Sequence, residues 1–248
     1  MTSKLEKTIA QLYETFEKYQ SNLSMEGSPL YGDLREWNQE LFSKSLRDLS
    51  DEDLSRFTGK AITTWGNELD YKHFLPRIFE LIAELRCPYE IWIAFEKLSL
   101  AEWNNWKEDE QKLVQEYMIA LWESMLHDES EKAEYEFQNY FASIAHFYPK
   151  FDDLLILWEV TESKASIKHL SNFIVNEEIA LFERNKIRGF YDRTEHSKEL
   201  INWILSEKTV KMIQRKYFEF ENESFSEKIS WAEQIVTFRI KSNTCNNL

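Results

Sequence analysis

The sequence predicts an all-α protein, a curved, solenoid-like stack of about ten to twelve antiparallel helices of the HEAT or armadillo kind. Three observations carry that expectation. Only five glycines and four prolines occur in 248 residues, too few for the tight turns an all-β fold needs. Apolar residues recur at steps of three and four, and helix-starting residues stand ahead of several of these stripes. Hydrophobic residues make up 43% and aromatics 15%, with nine Trp, enough to fill a sizeable core.

In chain order, Leu5, Ile9, Leu12, Phe16 and Tyr19 mark a first amphipathic helix. It stops before SNLSMEGSPLYGD, a loop punctuated by Gly27, Pro29 and Gly32. A second helix carries Leu34, Trp37, Leu41 and Phe42. A third starts at Ser50, a capping hydroxyl followed by Asp51, Glu52 and Asp53 at the positive end of the helix dipole. Its stripe reads Leu54, Phe57, Ala61, Trp65, closed by Gly66. Ser99 with Glu102, Asp128 with Glu131, and Ser224 with Glu227 pair a cap residue with an acid three positions on. Between Lys107 and His127, Leu113, Tyr117, Leu121 and Met125 are flanked by Val114, Met118 and Trp122, a stripe wide enough for a central helix. Further helices are expected near 129–147, 150–160, 163–175, 197–206, 208–220 and 225–240. NEEIALFERNKIRGFYDRTEH, from Asn176, is the least periodic stretch and contains Gly189. The expectation is therefore one domain over 1–248, with a looser C-terminal part from about residue 190.

HFLPRIFELI, from His73, returns as HFYPKFDDLL, from His146, with eight of ten positions alike in kind and an offset of 73 residues. Proline gives no N–H and clashes with the preceding turn, so each copy is expected to open a new helix at an elbow between two helices. The residues upstream do not match at this offset, which favours a recurrent joint over a true repeat.

The formal charge is −14, from 44 acidic against 30 basic residues. Nucleic-acid affinity comes from Lys and Arg on phosphates, so no nucleic acid is expected as partner, and a basic protein fits better. Two cysteines, Cys87 and Cys245, make no disulfide framework, and Cys245 stands in a polar tail, in keeping with a reduced, cytoplasmic protein. The amphipathic N-terminus lacks the apolar core of a signal peptide, and runs such as LLILW fall far short of the ~20 residues that span a bilayer. No membrane association is expected.

Catalytic signatures are absent. Among His73, His127, His146, His169 and His196 there is no His-x-x-x-His, and acid-to-His pairs at helical spacing include Asp70 with His73 and Glu123 with His127. No metal or cofactor is expected. There is no G-x-S-x-G elbow and no glycine-rich phosphate loop, so an enzyme has no support in the sequence. Trp92, Trp103, Trp106 and Trp122 read as core, and the acids at 108–110 and 128–131 as complements to helix N-termini. EFENESFSE is different, because it straddles a loop. Its Glu219, Glu221, Glu223 and Glu227 are candidates for meeting a basic partner. A second candidate cluster is Asp70, His73 and Arg77 with Trp65 as a stacking wall. There the plain alternative is a capping Asp70, a backbone-bonded His73 and an ion-paired Arg77.

KAITTWGNELDYKHFLPRIFELIAEL, with the later AEWNNWKEDEQKLVQEYMIALW, resembles a family of uncharacterised bacterial helical proteins, over roughly residues 50–125 with a thinner continuation to about 160. The elements that carry the resemblance are Trp65-Gly66, Asp70 with His73-Phe74-Leu75-Pro76-Arg77, and Ala120-Leu121-Trp122. Members of that family often carry cysteines in the loop after the first helix. This chain has none there, so a metal or redox role does not transfer. The resemblance implies an all-helical bacterial cytosolic protein and supplies no activity.

The leading functional expectation is a protein-interaction module, of the immunity or antitoxin type, whose acidic surface occludes a basic partner. The alternatives are a small-molecule or enzyme site at Asp70, His73 and Arg77, and a scaffold that forms a homo-oligomer through a Trp-lined face.

Overall fold

The protein is described by a computed structural model covering residues 1–184, 186–190 and 192–245, the side chains of 243–245 excepted. The side chain of Cys245 therefore lies outside the described residues. The fold is all-α, and among the described residues β-pairing is confined to isolated bridges at Gly27, Ala61 and Trp65. The chain packs as two compact units, Met1–Leu121 and Trp122–Leu248.

The first unit holds α1 (Ser3–Phe16), α2 (Leu34–Leu41), α3 (Asp51–Lys60), α4 (Glu68–Ala83), α5 (Ile91–Leu100) and the first part of α6 (Glu108–His127). The α1 stripe of Leu5, Ile9, Leu12 and Phe16 is buried, and α1 lies along α4. Ser50 and Asp53 form the expected capping box of α3. The helix ends earlier than its stripe suggested. Ala61 and Trp65 belong to an irregular turn, where Ile62 takes φ 67° and the β-branched run Ile62, Thr63, Thr64 is a poor helix continuation. This turn pairs with the 21–33 loop through Ser28 N–H to the Thr64 carbonyl (2.8 Å) and Gly66 N–H to the Glu26 carbonyl (2.7 Å). Gly66 is required there: its φ is +70°, and a Cβ would lie 3.0 Å from Met25 Sδ.

Two other expectations fail in this unit. Ser99 lies inside α5 and starts nothing. Instead Glu102 turns the chain left-handed (φ 49°) and Trp106 Nε1 donates to the Ala101 carbonyl at 2.8 Å, closing a buried aromatic turn. Pro76 does not open a helix either; it sits in the middle of α4. An Asn67–Asp70 capping box begins α4 well upstream, and the buried Phe74, Leu75, Ile78 and Phe79 hold the helix through the missing donor.

The second unit holds the rest of α6, then α7 (Glu131–Phe147), α8 (Phe151–Val160), α9 (Lys164–Asn176), α10 (Thr194–Ile204), α11 (Glu207–Glu219) and α12 (Ser226–Cys245). Its core is aromatic: Trp122 meets Phe141 at 5.1 Å and Trp158 at 5.2 Å, with Phe137 and Phe173 around them. Both buried indoles find carbonyls, Leu154 for Trp122 and Ser166 for Trp158. The true cap of α7 is Ser130, whose N–H donates to the Asp128 carboxylate two residues before it. Within the aperiodic stretch after Asn176, residues Ala180–Arg184 form a π-helical turn, and Gly189 (φ +85°) presses so close to Ala142 that a Cβ would lie 2.3 Å from it. Among the described residues no helix is long and apolar enough to cross a membrane.

Candidate functional site

The last helix and the loop before it combine what an interaction surface needs. The inner face of α12 buries Ile229, Ala232 and Val236 while the helix packs on α9 and α11. At 100° per residue, Glu227, Trp231, Gln234 and Phe238 fall on the opposite face. Trp231 is 48% and Phe238 62% exposed. A helix with apolar residues on two opposite faces is normally covered on both, and here the outer one is only partly covered, with the Arg239 guanidinium 5.8 Å from the Phe238 ring. Phe218, near the end of α11, is also exposed.

Of the four sequence-chosen glutamates, Glu227 shares this face one turn before Trp231, and Glu219, Glu221 and Glu223 lie in the last turn of α11 and the loop that leads into α12. Glu219 and Glu162 share the Lys216 ammonium (2.7 and 3.4 Å), and Glu223 pairs with Lys164 at 2.6 Å. That pairing raises the Lys164 pKa. Glu221 and Glu227 are exposed and make no ion pair among the described residues.

The second sequence-chosen cluster is dispersed into structural tasks. Asp70 accepts from the Asn67 N–H (2.9 Å) and from the Ser21 hydroxyl (2.5 Å), so it is the α4 capping acid. His73 Nδ1 donates to the Tyr19 carbonyl at 3.0 Å, and burial lowers its pKa. Arg77 Nε donates to the Leu49 carbonyl (2.7 Å) and its Nη1 to Glu80 (2.5 Å). Glu80 also accepts from Tyr13, whose ring carries the Arg47 guanidinium at 3.6 Å. His73 borders a cleft of about 350 Å³ with Tyr13, Tyr19 and Arg47, whereas Trp65 is the floor of a separate groove. The four residues thus form no common site.

Sequence reasoning missed the most charged interior point. Glu110, 0% exposed, is not a solvated complement to the α6 dipole. It accepts from Tyr19 and Lys18 (each 2.6 Å) and faces Lys72 at 3.2 Å. Lys72 in turn reaches Glu68 at 2.8 Å and lies over the Trp106 ring at 4.2 Å. Burial acts to raise the Glu110 pKa, but the bonds from Lys18, Tyr19 and Lys72 outweigh it and hold it below the ordinary value. The Tyr19 hydroxyl, part-buried beside this carboxylate, is pushed up to about 12. These partners lie far apart in sequence, 91 residues for Tyr19, so no local pattern announces them.

Among the described residues no group of three or more His, Cys, Asp or Glu side chains is placed to hold a metal ion. Comparisons with family models, with curated proteins and with solved structures give no match for this chain.

Proposed function

We propose that this protein is a cytoplasmic protein-interaction module of the immunity or antitoxin type, which occludes a basic partner with the outer face of α12 and the Glu219–Glu227 rim. The observation that carries the reading is the pair Trp231 and Phe238, exposed directly opposite the buried face of the same helix, with Glu227 one turn before Trp231. Exposed aromatic anchors supply binding energy, and the rim supplies orientation and a faster encounter with a positive surface. A second copy of this chain is a poorer occupant, since it would bring the same acidic rim against itself.

The test is capture from a lysate of the native host on the immobilised chain at low salt, with W231A/F238A and E221Q/E223Q/E227Q alongside. The expected result is a basic protein held by the wild type, released as salt rises, absent from W231A/F238A and reduced on the glutamine variant. Retention of the same protein by all three baits would overturn the proposal. So would sedimentation of the purified chain as a dimer that W231A/F238A converts to a monomer.

A further inference from the structure

The loop before α2 presents one phenol to a lysine. Ser28, Pro29, Leu30 and Tyr31 form a β-turn, closed by the Tyr31 N–H on the Ser28 carbonyl at 3.0 Å, with Pro29 at the position its fixed φ suits. The Ser28 N–H bond to the Thr64 carbonyl holds this turn against the one that follows α3. The Tyr31 ring packs on Trp37, centroids 4.8 Å apart. Its partly exposed hydroxyl accepts from the Lys60 ammonium and donates to the Thr64 hydroxyl, both at 2.9 Å. Gly32, next in the chain, stands in open space, where an added Cβ would meet no atom within 4 Å.

Other tyrosines are partnered in the opposite sense. Tyr13 donates to Glu80 and Tyr19 to Glu110, each at 2.6 Å, and Tyr148 donates to Asp153 at 3.2 Å. Burial, and after it the carboxylate, pushes Tyr19 and Tyr148 up to about 12 and raises Tyr13 as well. Phenols held in that way stay protonated and are weak nucleophiles. Tyr31 is shifted downward, first by the Lys60 bond and then by the Thr64 bond. Lys60 forms no ion pair with a carboxylate among the described residues, so no acid competes with the phenol for its charge. When the phenol gives up its proton, the Thr64 hydroxyl can turn to donate, and the phenolate then has two donors.

The geometry points to Tyr31 as a modification site, a phenol that takes an acyl group from a small activated acyl donor. The Tyr31 Oη attacks the acyl carbon and its proton leaves to solvent. The bond from that carbon to the leaving group breaks, the leaving group departs with the electron pair, and an aryl ester remains. Lys60 stays protonated throughout, so it stabilises the phenolate without competing for the acyl group. A phenolate held by donors is less nucleophilic than a free one, but nucleophilicity falls less steeply than the phenolate population rises. The site lies in the first unit and is independent of the α12 face.

Limited reaction of the full chain with N-acetylimidazole near neutral pH, read by peptide mass spectrometry, tests it. Tyr31 is expected to gain a hydroxylamine-labile acetyl group about tenfold faster than Tyr135, although Tyr135 is 82% exposed. Lys60→Gln should bring Tyr31 down to the rate of Tyr135. Lys60→Arg should keep most of the advantage, and Thr64→Val should lose a smaller part of it. Lys60 is partly exposed at the end of α3 and Thr64 is exposed, and a melting curve on each variant confirms the fold. A Tyr135 that reacts as fast as Tyr31 overturns the proposal, as does a Tyr31 rate that Lys60→Gln leaves unchanged, or an acetyl group found on the Lys60 amine in place of the Tyr31 oxygen.

Discussion

The stretches beginning at His73 and at His146 agree in kind at eight of ten positions, yet one lies within a single helix and the other spans the joint between two. In the first, the helix runs straight through Pro76, and His73 is anchored to the Tyr19 carbonyl. In the second, α7 ends at Phe147, Pro149 stands in the joint, and Arg193 Nη2 donates to the His146 carbonyl in the last turn. What differs is the setting. Both units have aromatic cores, but the first also buries a carboxylate and an ammonium, Glu110 and Lys72, whereas the second buries no carboxylate among the described residues and stacks His169 on Phe137 and His196 on Phe151. A short motif does not choose a helix end. The side chains that tertiary contacts bring to it do.

The largest test of that contrast is Glu110. Removing one partner of a buried ion pair leaves the others uncompensated, so Glu110→Ala is expected to destabilise the first unit by about 3–5 kcal/mol, read by urea denaturation. The double change Glu110→Leu with Lys72→Met should recover a good part of the loss, since apolar replacement of a whole buried pair is often neutral. A cost below about 1 kcal/mol for Glu110→Ala would break the comparison.

Acid should separate the two units. His169 is 2% exposed, stacks on Phe137 at 4.3 Å, and its Nε2 donates to the Asp128 carbonyl at 3.2 Å. Burial lowers its pKa to about 4. A pKa depressed by burial of the neutral form means the unfolded chain binds the proton more readily. The stability it reports is intact above the usual 6.5, declines as pH falls toward 4, and amounts to about 3 kcal/mol. His146 and His196 in the second unit are also lowered, chiefly by burial, and act in the same direction; His73 is the one histidine so lowered in the first unit. Glu110, lowered as well, holds its contribution down to its ordinary 4.5 and loses it only below that. Peptide-resolved hydrogen exchange between pH 7 and 4 should therefore show the second unit loosening first, and simultaneous loosening would remove the distinction.

Much of this was legible in the sequence, and the failures have common physical causes. The first helix as far as Phe16, α2 as far as Leu41, the α6 stripe and the Ser50 cap were readable because periodicity and capping are local, while Tyr19 and Phe42, read as part of those stripes, lie beyond the helix ends. Pro76 misled because local chemistry forbids proline in a helix interior, while burial of its neighbours compensates. Trp65 was placed on a helix by spacing, yet its indole is fixed by Asn38, 27 residues away. Of the candidate interaction residues the sequence offered the glutamates but not Trp231 and Phe238. A helix with apolar residues on two faces, as Ile229, Ala232 and Val236 against Trp231 and Phe238 make α12, does not say which face is inward.

The smallest expected effects belong to the two prolines, and their difference is the sharpest form of the comparison. Pro149 is exposed in a joint, where its ring mainly restricts the unfolded chain, so Pro149→Ala should cost about 0.4–1 kcal/mol. Pro76 is buried inside α4, where alanine restores an N–H for the Lys72 carbonyl but removes ring atoms from the core. A regained helical donor and a lost pair of buried methylene groups, each on the order of 1–3 kcal/mol, oppose one another. The net should stay within about 1 kcal/mol of the wild type, with helix content by circular dichroism unchanged. If Pro76→Ala instead destabilised strongly, the ring's packing would outweigh the missing donor, and α4 would be a helix selected by its proline rather than one that tolerates it.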